Sequence, residues 1–263
     1  MGRVFQEQEA AASDAPVTLD IPYGALQRQK LDIYLPKDRK PRAVIVFIYG
    51  GGWTSGDKRR YQLFAPAFTG RGYAVVIPDY RTYPNARFPD FVEDAALAIK
   101  WVQDNRARFQ SAPMFLMGHS AGAHTGALLT LDARYMRAHG IEPSAIRGFI
   151  GIAGPYSLNP AKWPVVREIF APASPPESAR PIKLATGRVA PMLLLHGTLD
   201  RIARADNSTR LGDALKKAGS PVEVKLYPLI GHFEMLFAFA WGLRWRASVL
   251  DDADAFITRE LAR

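Results

Sequence analysis

Gly118-His119-Ser120-Ala121-Gly122 places a serine between small residues, directly after the apolar run "MFLM". A serine hydroxyl is a weak nucleophile at neutral pH; it needs a base beside it, and the base needs a carboxylate to orient it. The chain offers five histidines. His119 adjoins the serine and should project away from it. His124 falls in the helix that follows, where a packed, hydrogen-bonded imidazole is the plain reading. His139 sits at the far end of that helix, and His196 comes before the best acid. His232 follows the last apolar run in "VEVKLYPLIGHF", with Gly231 freeing its loop, and is the expected base. The acid should lie on a loop after a central strand. "MLLLHGTLD" puts Asp200 there, whereas Asp206 and Asp213 suit a helix cap or a solvated face. The chemistry these three residues could do is acyl transfer: attack by Ser120, proton removal by His232, and stabilisation of the imidazolium by Asp200.

Such groups need a scaffold that brings them to one edge. Short runs apolar on both faces recur: "AVIVFIY", "YAVVIP", "MFLM", "FIGIAG", "MLLLHG" and "VEVKLY". Strands covered by helices on both sides require this pattern, so a largely parallel sheet is expected. Ahead of them "KLDIYLP" alternates and predicts a half-exposed antiparallel strand, paired with "VTLDIPYG". Helices are expected over 60–70, 90–105, 121–137, 205–218 and near 250–261. The class is therefore α/β, doubly wound, with ligands at the carboxyl ends of the strands. The strand–serine–helix order predicts a tight elbow that lifts Ser120 above the sheet, with glycines at 118 and 122 because side chains there would strike neighbouring backbone.

Composition narrows the remaining classes. No apolar stretch is long enough to span a bilayer, so stable membrane insertion is not expected. The absence of cysteine excludes disulfides, a thiolate nucleophile and a thiolate metal site. A net charge of +9 is spread out, and its densest cluster is only Lys58-Arg59-Arg60, which argues for a solvated basic surface rather than a nucleic-acid partner. The first twelve residues lack the apolar core of a secretory signal, so a soluble, cytoplasmic protein is expected, or a secreted or periplasmic one if a signal was removed before Met1. Residues 1–16 are expected to form a tail and 17–263 a single domain. Eight of the twenty prolines fall in 155–191, which reads as a short lid-like insertion at about 155–190.

The order Ser120, Asp200, His232 is that of an α/β-hydrolase triad. Together with "LDIYLP", "YGGGW", "PDYRTYPNARFPDFVEDA", "GHSAGAH", "GPYSL", "HGTLD" and "GHF", it makes the chain resemble the α/β-hydrolase superfamily from about Val17 onward. Closer in, it is similar to hormone-sensitive-lipase-like carboxylesterases, feruloyl-type esterases and kynurenine formamidases. That resemblance implies a mostly parallel central sheet with helices on both faces and no cofactor or metal. It also implies an oxyanion hole made by the backbone amides of Gly51, Gly52 and Ala121. Those esterases usually carry histidine before the glycines, where this chain has Tyr49; a phenol both donates and accepts, so Tyr49 is expected to support the loop. A phosphate-binding reading of the glycines fails, because neither phosphate-loop pattern is present.

Trp53, Tyr156 and Phe233 adjoin the expected strand-end chemistry and are candidates for an apolar acyl or alcohol pocket, with Trp163 and Tyr83 weaker ones. Phe237, Phe239, Trp241 and Trp245 read as core or lid packing rather than a membrane anchor, and Asp79, Arg81 and Asp94 as structural ion pairs or caps. The short insertion points to small or medium esters as the small-molecule substrate. The expected function is a serine carboxylesterase whose activity rises with pH as His232 loses its proton. An arylformamidase is the alternative, and a non-catalytic ligand-binding receptor on this fold a remote one. Oligomeric state is left open.

Overall fold

Runs of consecutive apolar residues become strands buried on both faces, because helices cover each side of the sheet they form. The computed structural model describes residues 16–62, 64–160, 164–239 and 241–263. Trp163, the Trp241 side chain and the first fifteen residues of the expected tail lie outside the described residues. The strands are β1 (Val17–Pro22), β2 (Lys30–Tyr34), β3 (Val44–Ile48), β4 (Ala74–Pro78), β5 (Met114–His119), β6 (Ile146–Ile152), β7 (Met192–Gly197) and β8 (Val222–Tyr227). They form one sheet in the order β1-β2-β4-β3-β5-β6-β7-β8. From β4 to β8 every pairing is parallel, and only β2 runs against its neighbours.

The α-helices are α1 (Ala65–Thr69), α2 (Asp90–Asp104), α3 (Ala121–Leu131), α4 (Ala133–Ala138), α5 (Pro164–Phe170), α6 (Pro181–Leu184), α7 (Asp206–Lys217), α8 (Glu234–Phe237) and α9 (Val249–Leu261). Two of the expected helices are divided. The first becomes a 3-10 turn over Lys58–Tyr61 followed by α1, because Pro66 lacks the N–H that would carry a helix through and suits a first turn instead. The third breaks at Asp132, whose extended backbone ends α3 and whose carboxylate caps the Arg134 amide of α4 at 3.2 Å.

Two strand expectations are corrected. β2 is buried from Leu31 to Tyr34 instead of half-exposed. Its polar residue, Asp32, is fully buried because the equally buried Lys58 brings its ammonium to 2.6 Å. Conversely β8 is partly exposed, because it is the edge strand of the sheet and has a strand neighbour, β7, on one side alone. The core is aromatic toward the α1 side, where Phe64 stacks on Phe47 at 4.0 Å and meets Phe239 edge-on at 4.9 Å. Full burial of such a ring contributes about 1.5–3 kcal/mol. Phe237 and Trp245 do not join this packing: they stand 55% and 81% exposed, the first on α8, a single turn that faces only part of its surface inward, the second on the 3-10 turn Trp241–Arg246 that follows.

Candidate active site

The elbow between β5 and α3 follows from two glycines. A Cβ on Gly118 would lie 2.4 Å from the Gly122 carbonyl oxygen, and one on Gly122 would lie 2.1 Å from that of Ile48 and 2.4 Å from that of Tyr49. Only hydrogen fits at either place, so the helix start can press against the end of β3. Ser120 takes φ 54° and ψ −120°, a region costing about 1–3 kcal/mol for a residue with a side chain. The strain is held by its amide bonding the Ile152 carbonyl at 2.8 Å and its carbonyl accepting from His124 at 3.1 Å.

His232 arrives on the loop after β8 and Asp200 on the loop after β7. Nε2 of His232 lies 2.9 Å from Ser120 Oγ, and Nδ1 lies 2.6 Å from Asp200 Oδ2. The carboxylate accepts at Nδ1, so the proton resides there and the Nε2 lone pair faces the serine hydroxyl. Asp200 Oδ1 accepts the amides of Ile202 and Ala203 at 2.9 and 2.8 Å. Burial pushes the Asp200 carboxyl up, but hydrogen bonds from His196 and His232, with the Ala203 amide, more than offset this and hold it well below the usual carboxylate range.

Two histidines that residue order leaves outside the triad are brought to it by the tertiary structure. His196 Nε2 lies 3.1 Å from Asp200 Oδ2 and also meets the Ala203 carbonyl, so this nitrogen donates, while Nδ1 faces the Ser208 hydroxyl at 2.8 Å. The signal was its place four residues before the acid. His119 does not project away: its ring lies 4.8 Å from that of His232, and its Nε2 is 3.3 Å from the His232 carbonyl. Burial and the nearby His232 push His119 down to about 3, so it stays neutral beside the base. His124 is packed as expected, bonded to the Ala179 carbonyl at 2.9 Å, and pushed down to about 4 by burial.

The glycine loop lies against the serine, for a Cβ on Gly50 would come within 2.9 Å of Ser120 Cβ. Gly51 (φ 141°) and Gly52 (φ 61°) adopt backbone that favours glycine, and the amides of Thr54 and Ser55 turn back to the Gly51 carbonyl at 3.1 Å each. Among the described residues the Gly51 and Gly52 amides donate to no backbone carbonyl. Ala121 is the first residue of α3, so its N–H has no intrahelical acceptor.

Tyr49 is fully buried between Tyr61 and Tyr80, with ring centroids 5.2 and 4.7 Å away. Its hydroxyl donates to Asp79 Oδ1 at 2.6 Å and accepts from Arg28 at 2.9 Å. Arg28 also bonds the Gly56 carbonyl, and Asp79 Oδ1 accepts the Lys58 amide, both at 2.9 Å, so one cluster grips both ends of the glycine loop. Burial raises both the phenol and Asp79, which keeps the phenol protonated as the donor. Arg81 and Asp94 form the expected ion pair, 2.9 Å apart.

Of the three pocket candidates, Phe233 is 57% exposed and meets His232 edge-on at 5.3 Å. Trp53 is 4% exposed and wedged against His124 and Phe170. Tyr156 presents no surface to a ligand. It lies in the core against Gly151 and Gly154, because glycine there leaves the space its ring fills.

The family model described as BD-FAE matches residues 31–162, half of the chain, including the glycine loop and the elbow. The chain belongs to the BD-FAE family. Among relatives of this BD-FAE member, isoprenylcysteine alpha-carbonyl methylesterase ICME of Arabidopsis thaliana is 30% identical over 80% of the chain and 55% of its own length. Kynurenine formamidase of Danio rerio is 28% identical over 61% of the chain and 53% of its own length. The chain thus spans about half the length of these curated relatives. Thermogutta terrifontis esterase 2, solved with propionate bound, superposes with a TM-score of 0.76 at 27% identity, covering 94% of this chain and 95% of that one. With such neighbours the BD-FAE chain has the α/β-hydrolase fold, an architecture shared by esterases.

Proposed function

We propose that this chain is a serine carboxylesterase acting on small to medium carboxylic esters through an acyl-enzyme. The observation that carries the reading is the hydrogen-bonded line Asp200–His232–Ser120, with the Nε2 lone pair of His232 facing Oγ at 2.9 Å. Ser120 Oγ attacks the ester carbonyl while its proton passes to His232 Nε2. The resulting oxyanion is received by the amides of Gly51, Gly52 and Ala121, and loss of one such donor costs about 3 kcal/mol of transition-state stabilisation. The imidazolium then protonates the leaving alkoxide as the C–O bond breaks, leaving an acyl-serine and free alcohol. Water, deprotonated by His232, attacks the acyl-serine and releases the acid. Asp200 stays ionised throughout and steadies the imidazolium.

Phe233 at the mouth and Trp53 behind the glycines are the residues proposed to meet apolar groups of the substrate. Esterase names among the relatives and structural neighbours support ester over amide, and the formamidase likeness covers less of the chain. The test is hydrolysis of short- and long-chain nitrophenyl esters and of a formanilide by the native protein and Ser120→Ala. Short esters should be cleaved fastest, with turnover falling by about a thousand-fold or more in the variant. Undiminished turnover by Ser120→Ala overturns the assignment, and preferred cleavage of the formanilide moves it to the amide reading.

A further inference from the structure

Leu229 stands 71% exposed with φ 60°. It follows Pro228 in the turn that leads from β8 to His232, at a left-handed position that glycine or asparagine fills without strain. Neither packing within the chain nor backbone preference accounts for a leucine there.

Leu229 has company. Leu199 and Ile202, on the Asp200 loop, are 50% and 65% exposed, and Phe233, Phe237 and Trp245 are 57%, 55% and 81% exposed. The two loops are zipped together: the Leu199 amide bonds the Ile230 carbonyl at 2.9 Å, and the Leu229 amide bonds the Thr198 hydroxyl at 3.1 Å. Phe233 and Phe237 lie one helical turn apart, the amide of the second bonding the carbonyl of the first at 3.1 Å. Arg246, with its guanidinium 5.9 Å from the Trp245 ring, pairs with Glu234 at 3.2 Å and so ties this tryptophan to α8. The result is an apolar rim beside the Ser120 site, of a kind that marks interaction surfaces.

Cations are set among these side chains. Arg201, between Leu199 and Ile202, is exposed, and among the described residues no ion pair involves it. Arg204, 82% exposed, pairs with Asp206 at 3.6 Å and Arg246 with Glu234 at 3.2 Å, so the carboxylates beside the rim are neutralised and Arg201 leaves it a net positive charge. Net charge is +9, and among the described residues no helix is long and apolar enough to cross a membrane. Exposed aromatic and aliphatic groups with basic neighbours suit a surface that is apolar below and anionic above.

We propose that this rim docks onto an anionic lipid surface and turns the Ser120 site toward esters held there. The second clause rests on the esterase reading; the docking does not. Ser120→Ala protein, which cannot cleave the lipid, is sedimented with phosphatidylcholine vesicles made with and without phosphatidylglycerol. Binding should require phosphatidylglycerol, weaken in high salt and shift tryptophan emission to the blue. The rim variant Leu229→Asn/Phe237→Gln/Trp245→Gln should bind at least about ten-fold more weakly, while in the Ser120 background it cleaves a water-soluble acetate ester like the native protein. Failure to bind vesicles, equal binding by the rim variant, or equal binding to neutral vesicles overturns the proposal. So does a dimer, seen by analytical ultracentrifugation, that the rim changes abolish without any vesicle binding. Loss of the Ser120 assignment would show in the ester assay alone, leaving the vesicle result to stand or fall separately.

Discussion

A single oxygen of Asp200, Oδ2, is shared by two histidines: Nδ1 of His232 at 2.6 Å and Nε2 of His196 at 3.1 Å. His196 is itself fixed by Ser208, so the carboxylate is clamped from α7 as well as by the Ile202 and Ala203 amides. A hydrogen bond to a charged group is worth about 1.5–3 kcal/mol.

Replacing His196 by phenylalanine should therefore lower kcat about ten-fold, with KM little changed, because Asp200 loses a fixed donor and aims His232 less well. His196→Gln, which keeps an amide N–H in that direction, should recover most of it. Steady-state kinetics of both variants are the check; full kcat in the phenylalanine variant would show that the other three donors suffice.

Tyr49 allows packing and hydrogen bonding to be separated. Tyr49→Ala empties the space between Tyr61 and Tyr80 and should cost about 3–5 kcal/mol of stability in denaturant titration. Tyr49→Phe keeps the stack but takes the proton from Asp79 and the acceptor from Arg28, costing about 1–3 kcal/mol and slowing kcat as the glycine loop loosens. Unchanged kcat in Tyr49→Phe would mean that the loop holds its shape without the phenol.

Gly122→Ala should be more damaging than its size suggests. Its methyl would meet the carbonyl oxygens of Ile48 and Tyr49 at 2.1 and 2.4 Å, backbone atoms that move only if the start of the glycine loop moves with them. Turnover should fall by about a hundred-fold, comparable to losing an oxyanion donor. Activity within a few-fold of native, with a crystal structure unchanged at the loop, would show that the elbow has slack.

Acid should destabilise the fold earlier than its carboxylates alone require. His119 and His124 are held at about 3 and about 4 in the folded chain, below the ordinary histidine value near 6.5. The unfolded chain therefore binds more protons below that value. The stability of keeping both rings neutral is complete above about 6.5 and is lost as pH falls toward 4 and then 3, at about 1.4 kcal/mol per pH unit for each ring. Urea titrations between pH 6 and pH 5 should show the slope of stability on pH roughly halved in His124→Gln. An unaltered slope would mean that His124 is not kept neutral by its burial.

Much was legible in the residue order. Doubly apolar runs such as "AVIVFIY" announce a sheet covered on both sides, and the register of the elbow follows from where small residues are placed. Local composition misled where a distant residue changed the outcome. Asp32 made β2 look half-exposed until Lys58 arrived from 26 positions along the chain to neutralise it. Pro66 and Asp132 were visible, yet whether a helix bends or stops at such residues depends on what caps the break.

By itself, the sequence determined the chemistry on offer: one serine in an elbow pattern, an acid and a histidine in the right order, and three consecutive glycines after a buried strand. These are properties of residue type and near neighbours, which covalent order carries. Only the tertiary structure decided which histidine shares the acid, that His119 leans on the base, that Tyr49 is gripped by Arg28 and Asp79, and that Tyr156 is core while Phe233 stands at the mouth. Those outcomes depend on distances between segments far apart in the chain, and such distances are set by packing of the whole sheet rather than by local pattern.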